Sequence, residues 1–194
     1  MREGKRKPGA LWTGKTLPDY LRPGLDIVFV GLNPGLYSTE VGHYFAHKQN
    51  RFWPALSASG LVPELLGPES DARLPDWGIG LTDIVKRPTH GIHELTPSEF
   101  RRGARELEEK IAYYKPCVVC FVGFTGYHVC CGKEGGTGRQ DARFGGSPVF
   151  VIPSTSPRNA HYSLTTIIAA LRDLKEYRDR LGEESGTESD ELEL

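Results

Sequence analysis

Apolar residues recur along this chain in two rhythms. Four short runs are mostly apolar at consecutive positions: Ile27 to Val30, Gly78 to Val85, Val118 to Val122 and Val149 to Ile152. They are rich in β-branched residues and bounded by Gly, Pro or polar clusters, so they read as buried strands. Between them the spacing changes to three and four residues. Phe100, Ala104, Leu107, Ile111 and Tyr114 share one helix face. The other face carries Arg101, Arg102, Arg105, Glu108, Glu109 and Lys110, read as a solvated surface. Thr96-Pro-Ser-Glu99 supplies the start, with Thr as N-cap, Pro at the first helical position and Glu placed for a capping box; Pro116 ends it. Leu164, Ile167, Ile168, Leu171, Leu174 and Tyr177 form a second stripe, capped by Ser163 and ending near Gly182.

Shorter helices are expected from about Asn50 to Leu61 and from Thr125 to Cys131, with Phe52 and Trp53 docking the first on the sheet. Residues 17–25 read as a short helix and turn. Pro63 to Pro75 reads as a loop with one helical turn, and the glycine-rich stretch from Gly132 to Gly146 as a mobile loop. Strands alternating with helices predict an α/β fold, a three-layer α/β/α arrangement around a four-stranded, mainly parallel sheet.

Length and charge add boundaries. The 194 residues suit one domain, placed at 17–182. A basic arm, 1–16, holds Arg2, Lys5, Arg6 and Lys7; an acidic tail, 183–194, holds Glu183, Glu184, Glu188, Asp190, Glu191 and Glu193. Both lack apolar periodicity and are expected to be disordered. The net charge of −1 averages these opposite ends, so it does not exclude a nucleic-acid partner. No apolar run approaches the ~20 residues of a membrane span, and no signal-peptide core follows Met1, which predicts a cytoplasmic protein with no membrane partner.

Cys117-Val-Val-Cys120 has a spacing that metal sites use, but it lies in an apolar strand, and the adjacent Cys130-Cys131 supplies no second pair of that spacing. His43, His90, His93 and His161 lie in loops without metal-site spacing. No metal and no cofactor is expected.

The candidate chemistry lies at strand ends. Asn33-Pro-Gly35, Thr82-Asp83 and Ser154-Thr155-Ser156-Pro157-Arg158 each follow a strand, and a parallel sheet opens all three on one edge, where α/β proteins bind ligands. An amide, an aromatic ring, a carboxylate and a serine-rich loop with an arginine can together hold a planar polar ligand.

Three stretches resemble a known family. Gly31-Leu-Asn-Pro-Gly-Leu36 with Gly42-His-Tyr-Phe-Ala and Asn50-Arg-Phe-Trp53 is similar to the first motif of the mismatch-specific uracil and thymine DNA glycosylases. Gly78-Ile-Gly-Leu-Thr-Asp-Ile-Val-Lys-Arg-Pro-Thr89 resembles their middle segment, and Ile152-Pro-Ser-Thr-Ser-Pro-Arg-Asn-Ala160 their second motif. The resemblance covers about residues 20–181. It implies the uracil-DNA glycosylase fold and metal-free hydrolysis of an N-glycosidic bond, by a monomer, at a mismatched or damaged base in double-stranded DNA. Asn33 matches the asparagine that positions the attacking water, and backbone N–H groups after Leu32 would face the charge growing on the base. Phe45 matches the aromatic that stacks on the flipped base; Asn50 matches a pocket asparagine or is simply a helix cap. Ser154 to Arg158 match the loop that enters the duplex, with Ser154 and Ser156 on phosphates and Arg158 filling the gap left by the flipped nucleotide.

Three residues depart from the pattern. Tyr44 stands where the thymine-type enzymes have histidine, Ser38 where they have alanine, and Asp83 where the family has asparagine or lysine. Asp83 reads as a second base or as a structural carboxylate. The alternative to an enzyme is a non-catalytic module binding damaged DNA; a cysteine-based metal or redox module is the third reading.

Overall fold

The computed structural model describes residues 12–132 and 135–191. Most of the expected basic arm, residues 1–11, lies outside the described residues. Residues 12–16 lie against the domain: Lys15 Nζ donates to the Glu40 carbonyl at 2.9 Å and Thr16 Oγ1 to the Lys86 carbonyl at 2.6 Å.

The central strands are β1 (Ile27–Gly31), β2 (Ile79–Asp83), β3 (Val118–Val122) and β5 (Ser147–Ile152). β1 pairs in parallel with β2 and β3, and β3 with β5. Every residue of β1 and β2 is buried, as expected of strands covered on both faces. A fifth strand, β4 (Gly138–Phe144), pairs antiparallel with β5, giving the order β2-β1-β3-β5-β4. It corrects the mobile loop expected over Gly132 to Gly146 and raises the strand count from four to five. Gly145 and Gly146, at φ 56° and 87°, make the tight turn that joins β4 to β5.

Side chains alternate between the two faces of the sheet, and each face has its own core. Ile27 and Phe29 of β1 pack with Phe52 and Leu56 of α2 (Phe52–Ser59) and with Ile167, Leu171 and Leu174 of α5 (Leu164–Glu191). Val28 and Val30 pack with Leu107 and Ile111 of α3 (Pro97–Tyr114) and Tyr127 of α4 (Phe124–Cys131). This is the expected three-layer α/β/α arrangement. α3 begins with the expected capping box: Thr96 Oγ1 accepts from the Glu99 N–H at 3.3 Å, and the Thr96 N–H donates to Glu99 Oε2 at 2.9 Å.

Other local readings change. A short helix, α1 (Leu36–Val41), follows the Asn33-Pro-Gly turn, an element that no apolar stripe predicts. Residues 17–25 form no helix; Pro18, Pro23 and Gly24 disfavour one, and Tyr20 instead bridges Leu81 on the outer edge of β2. Pro68–Trp77 is a 3-10 helix. The last helix passes the expected end at Gly182 and runs to Glu191.

Candidate active site

A cavity of about 660 Å³ opens beyond the carboxyl ends of β1, β2 and β5. Every site residue expected from the sequence lines it: Leu32, Asn33, Ser38, Tyr44, Phe45, Asn50, Asp83, and Ser154, Thr155, Ser156, Pro157 and Arg158.

Asn33 is held where β1 and β2 continue side by side past their formal ends. Val85 N–H donates to the Leu32 carbonyl at 3.0 Å and Thr89 N–H to the Pro34 carbonyl at 3.1 Å. Asn33 Nδ2 donates to Thr89 Oγ1 at 2.8 Å and to the Arg87 carbonyl at 3.0 Å, with the Pro34 carbonyl at 3.2 Å. Three acceptors around the nitrogen fix the orientation of the amide. Oδ1 is then the end left for a ligand. The Leu32 carbonyl is occupied by Val85, and its side chain leans on the α3 core.

One wall is aromatic. Phe45 stacks on Phe52 with ring centroids 4.2 Å apart and planes 24° apart. Phe52 is fully buried, so it backs Phe45 as a rigid platform. Phe45 adopts φ 53°, a left-handed conformation uncommon for an aromatic residue. Its neighbours hold it there: Ser38 Oγ accepts from the Ala46 N–H at 3.1 Å, Trp53 Nε1 donates to the Tyr44 carbonyl at 2.9 Å, and the Tyr44 N–H donates to Asp71 at 2.9 Å. Tyr44 is only 2% exposed, and its phenol donates to the Pro18 carbonyl at 2.9 Å. Burial, above all, drives its pKa far above the ordinary range, so it stays a neutral phenol. Asn50 Oδ1 accepts from the Phe52 N–H at 3.0 Å, a contact that caps the start of α2 while the residue still lines the cavity.

The floor holds Asp83, 5% exposed and in register with Gly31. A methyl group at residue 31 would collide with Asp83 Oδ1, so the glycine lets the carboxyl lie across β1. Asp83 Oδ2 is the one buried side-chain polar atom, among the described residues, without a hydrogen-bond partner. Burial pushes this carboxyl up to about 7; Lys86 and Tyr44 pull it down, and the Asp19 carboxylate pushes it further up.

The opposite rim is the loop after β5. Thr155 is buried, and Arg158 is exposed but not free: its guanidinium donates to the His90 carbonyl across the mouth of the cavity. Arg51 ties this loop down. Its guanidinium donates to the Ser156 and Asn159 carbonyls at 2.7 Å each and to the Tyr162 carbonyl, and lies 3.4 Å from the Thr155 carbonyl.

Residues 18–175 match the family model of the uracil DNA glycosylase superfamily. The chain belongs to that superfamily. The solution NMR structure of a candidate uracil DNA glycosylase from Methanosarcina acetivorans has the same fold, with a TM-score of 0.51 and 20% sequence identity over 83% of this chain and 98% of that one. Superfamily membership supports a DNA glycosylase that acts on uracil.

Several residues of this glycosylase site were not evident as functional from the sequence. Arg51 was visible only as part of the Asn50-Arg-Phe-Trp53 match. Its four acceptors are loop carbonyls more than a hundred positions away, which leave no pattern in side-chain types. Asp71 is fully buried and accepts from Tyr20, His43 and the Tyr44 N–H. Asp19 lies behind the floor, where Lys86 and Lys110 each approach it to 2.7 Å and hold its pKa below the usual range despite burial. Cys117 and Cys120, three apart around a strand, sit on opposite sides of the sheet, one exposed and one buried. Among the described residues no group of three or more His, Cys, Asp or Glu side chains converges as a metal site would. Among them, too, no helix is long and apolar enough to cross a membrane.

Proposed function

We propose that this protein is a monofunctional glycosylase that removes uracil from double-stranded DNA, favouring uracil opposite guanine and accepting thymine opposite guanine. The observation that carries this reading is Asn33 at the cavity, its amide nitrogen fully occupied and its oxygen left over, facing a site walled by Phe45. The damaged nucleotide swings out of the duplex, and its base stacks on the free face of Phe45. Phe52 behind the ring keeps that face in place. Asn33 Oδ1 accepts a hydrogen bond from a water and aligns it on C1′ of the deoxyribose. An amide is a weak base, so positioning accounts for most of its effect. The C1′–N1 bond breaks with its electron pair on the base, the water oxygen bonds to C1′ and gives up a proton to solvent, and the departing base anion takes one up from solvent. The products are free base and an abasic site, and the chemistry calls for no metal or cofactor.

Ser154 and Ser156 face flanking phosphates, which set register rather than sequence. Arg158 leaves the His90 carbonyl and enters the stack where the nucleotide departed, lowering the cost of extrusion. The protein acts as a monomer. Mismatch preference rests on Arg158, which the thymine-type enzymes share, and on Ser38, which resembles the uracil type.

The test is release of free base from a duplex with one uracil opposite guanine. Wild type releases uracil, and Asn33→Ala is slower by ~10²–10³-fold. A module that only binds damaged DNA would retard the duplex on a gel yet leave no abasic site.

A further inference from the structure

The buried, unpartnered oxygen of Asp83 has a chemical consequence. A carboxylate oxygen in a dry site without a donor forfeits the hydrogen bonds that make a buried charge tolerable. The cation nearby does not supply one. Lys86 Nζ is 2.7 Å from Asp19 Oδ1 and 3.2 Å from the Tyr44 hydroxyl, and Lys110 holds the other Asp19 oxygen at 2.7 Å. Tyr44 donates to the Pro18 carbonyl. Beyond Tyr44, Asp71 is engaged by Tyr20, His43 and the Tyr44 N–H. Lys86, Asp19 and Tyr44 therefore face Asp83 as groups already committed to one another. Meanwhile the carboxyl lies across Gly31 on the floor of the cavity, where the edge of a flipped base would rest.

We propose that Asp83 works in its neutral form, as a hydrogen-bond donor to a carbonyl oxygen of the flipped base, stabilising the charge that gathers there as the base leaves. This rests on the glycosylase reading and deepens it. The O–H of a neutral carboxyl can donate to a carbonyl oxygen of an imide such as uracil or thymine. As the C1′–N1 bond breaks, its electron pair spreads onto the base carbonyl oxygens, and the O–H bond to one of them strengthens. A preorganised donor aimed at developing charge in a water-poor site is a large contributor to catalysis. The proton stays on Asp83 through bond cleavage, and the departing anion takes its proton from water on release. An ionised Asp83 would instead repel the leaving base. Burial, the dominant cause, holds the carboxyl up to about 7, so the neutral form is present near neutrality.

The experiment compares single-turnover base release by wild type, Asp83→Asn and Asp83→Ala between about pH 5.5 and about pH 8.5. The wild-type rate falls above neutrality, approaching about tenfold per pH unit. Asp83→Asn keeps a donor that cannot ionise, so it retains activity and loses the alkaline fall. Asp83→Ala is slower by ~10²-fold at the acid end, and by much less on 5-fluorouracil, whose anion needs less help. A rate that rises through pH 7 with an inactive Asp83→Asn would make Asp83 a base and overturn the proposal. Equal losses for both variants on both bases, with an unchanged pH profile, would make it structural. Failure of the wild type to release base at any pH would sink the glycosylase reading itself.

Discussion

Arg51 is predicted to set the order of the loop after β5, and Arg51→Ala removes that control. The guanidinium makes two hydrogen bonds of 2.7 Å, to the Ser156 and Asn159 carbonyls, plus one to Tyr162 and a longer one to Thr155. A hydrogen bond from a charged donor contributes a net ~1.5–3 kcal/mol. These bonds share one side chain and are partly exposed, so their sum is well below four times that, about 3–4 kcal/mol. That corresponds to a ~10²–10³-fold shift in the opening equilibrium of residues 154–162. Arg51's own N–H still donates to the Thr155 carbonyl at 3.0 Å, so the start of the loop stays attached. The assay is amide hydrogen exchange at Arg158 and Asn159, whose N–H groups bond to Ser156 Oγ at 3.3 Å and Ser156 O at 3.0 Å. Both should exchange ~10²-fold faster, with kcat/KM for a uracil duplex falling in step. Arg51→Lys, with one ammonium for several carbonyls, should fall between. Unchanged protection at these amides would refute the clamp, as would loss confined to the global fold.

Two further outcomes concern the floor. With Asp83 up to about 7 in the folded chain against an ordinary 3.8, the native state holds a proton that the unfolded chain loses between those values. Stability therefore falls as pH rises through that window, then levels off, by ~2–4 kcal/mol from this group. Thermal denaturation of wild type and Asp83→Asn at about pH 5 and about pH 8 should show the variant gaining on wild type at the higher pH; parallel shifts would contradict the burial argument. Gly31→Ala should cost ~1–3 kcal/mol by pushing a methyl into Asp83 Oδ1, and Gly31→Ala with Asp83→Ala should recover part of it. A double variant no more stable than Gly31→Ala would place the strain elsewhere.

The parallel core was legible because β1, β2, β3 and β5 are covered on both faces and are therefore mostly apolar at consecutive positions. β4 was not, because an edge strand carrying Arg139, Gln140, Asp141 and Arg143 shows no apolar run; its one signal was the Gly145-Gly146 pair. α1 is six residues long and leaves Leu36, Tyr37 and Val41 exposed, so it has no stripe to read. At the site, strand ends disclosed Asn33, Asp83 and the Ser154–Arg158 loop. What supports them did not show, because Asp19, Asp71 and Arg51 act through partners distant in sequence and, in the case of Arg51, through backbone carbonyls. The neutral character assigned to Asp83 comes from depth and missing donors, which no residue spacing encodes.

The central claim is that Asn33 places a water on the sugar of a flipped uracil nucleotide. The direct measurement is single-turnover release of free uracil, with abasic sites scored on the same strand, from a duplex holding one uracil opposite guanine. Wild type should convert the strand with one abasic site per uracil, and Asn33→Ala should bind the duplex as well while converting it ~10²–10³-fold more slowly. Intact uracil after incubation with tightly binding wild-type protein, or an Asn33→Ala variant as fast as wild type, would contradict it.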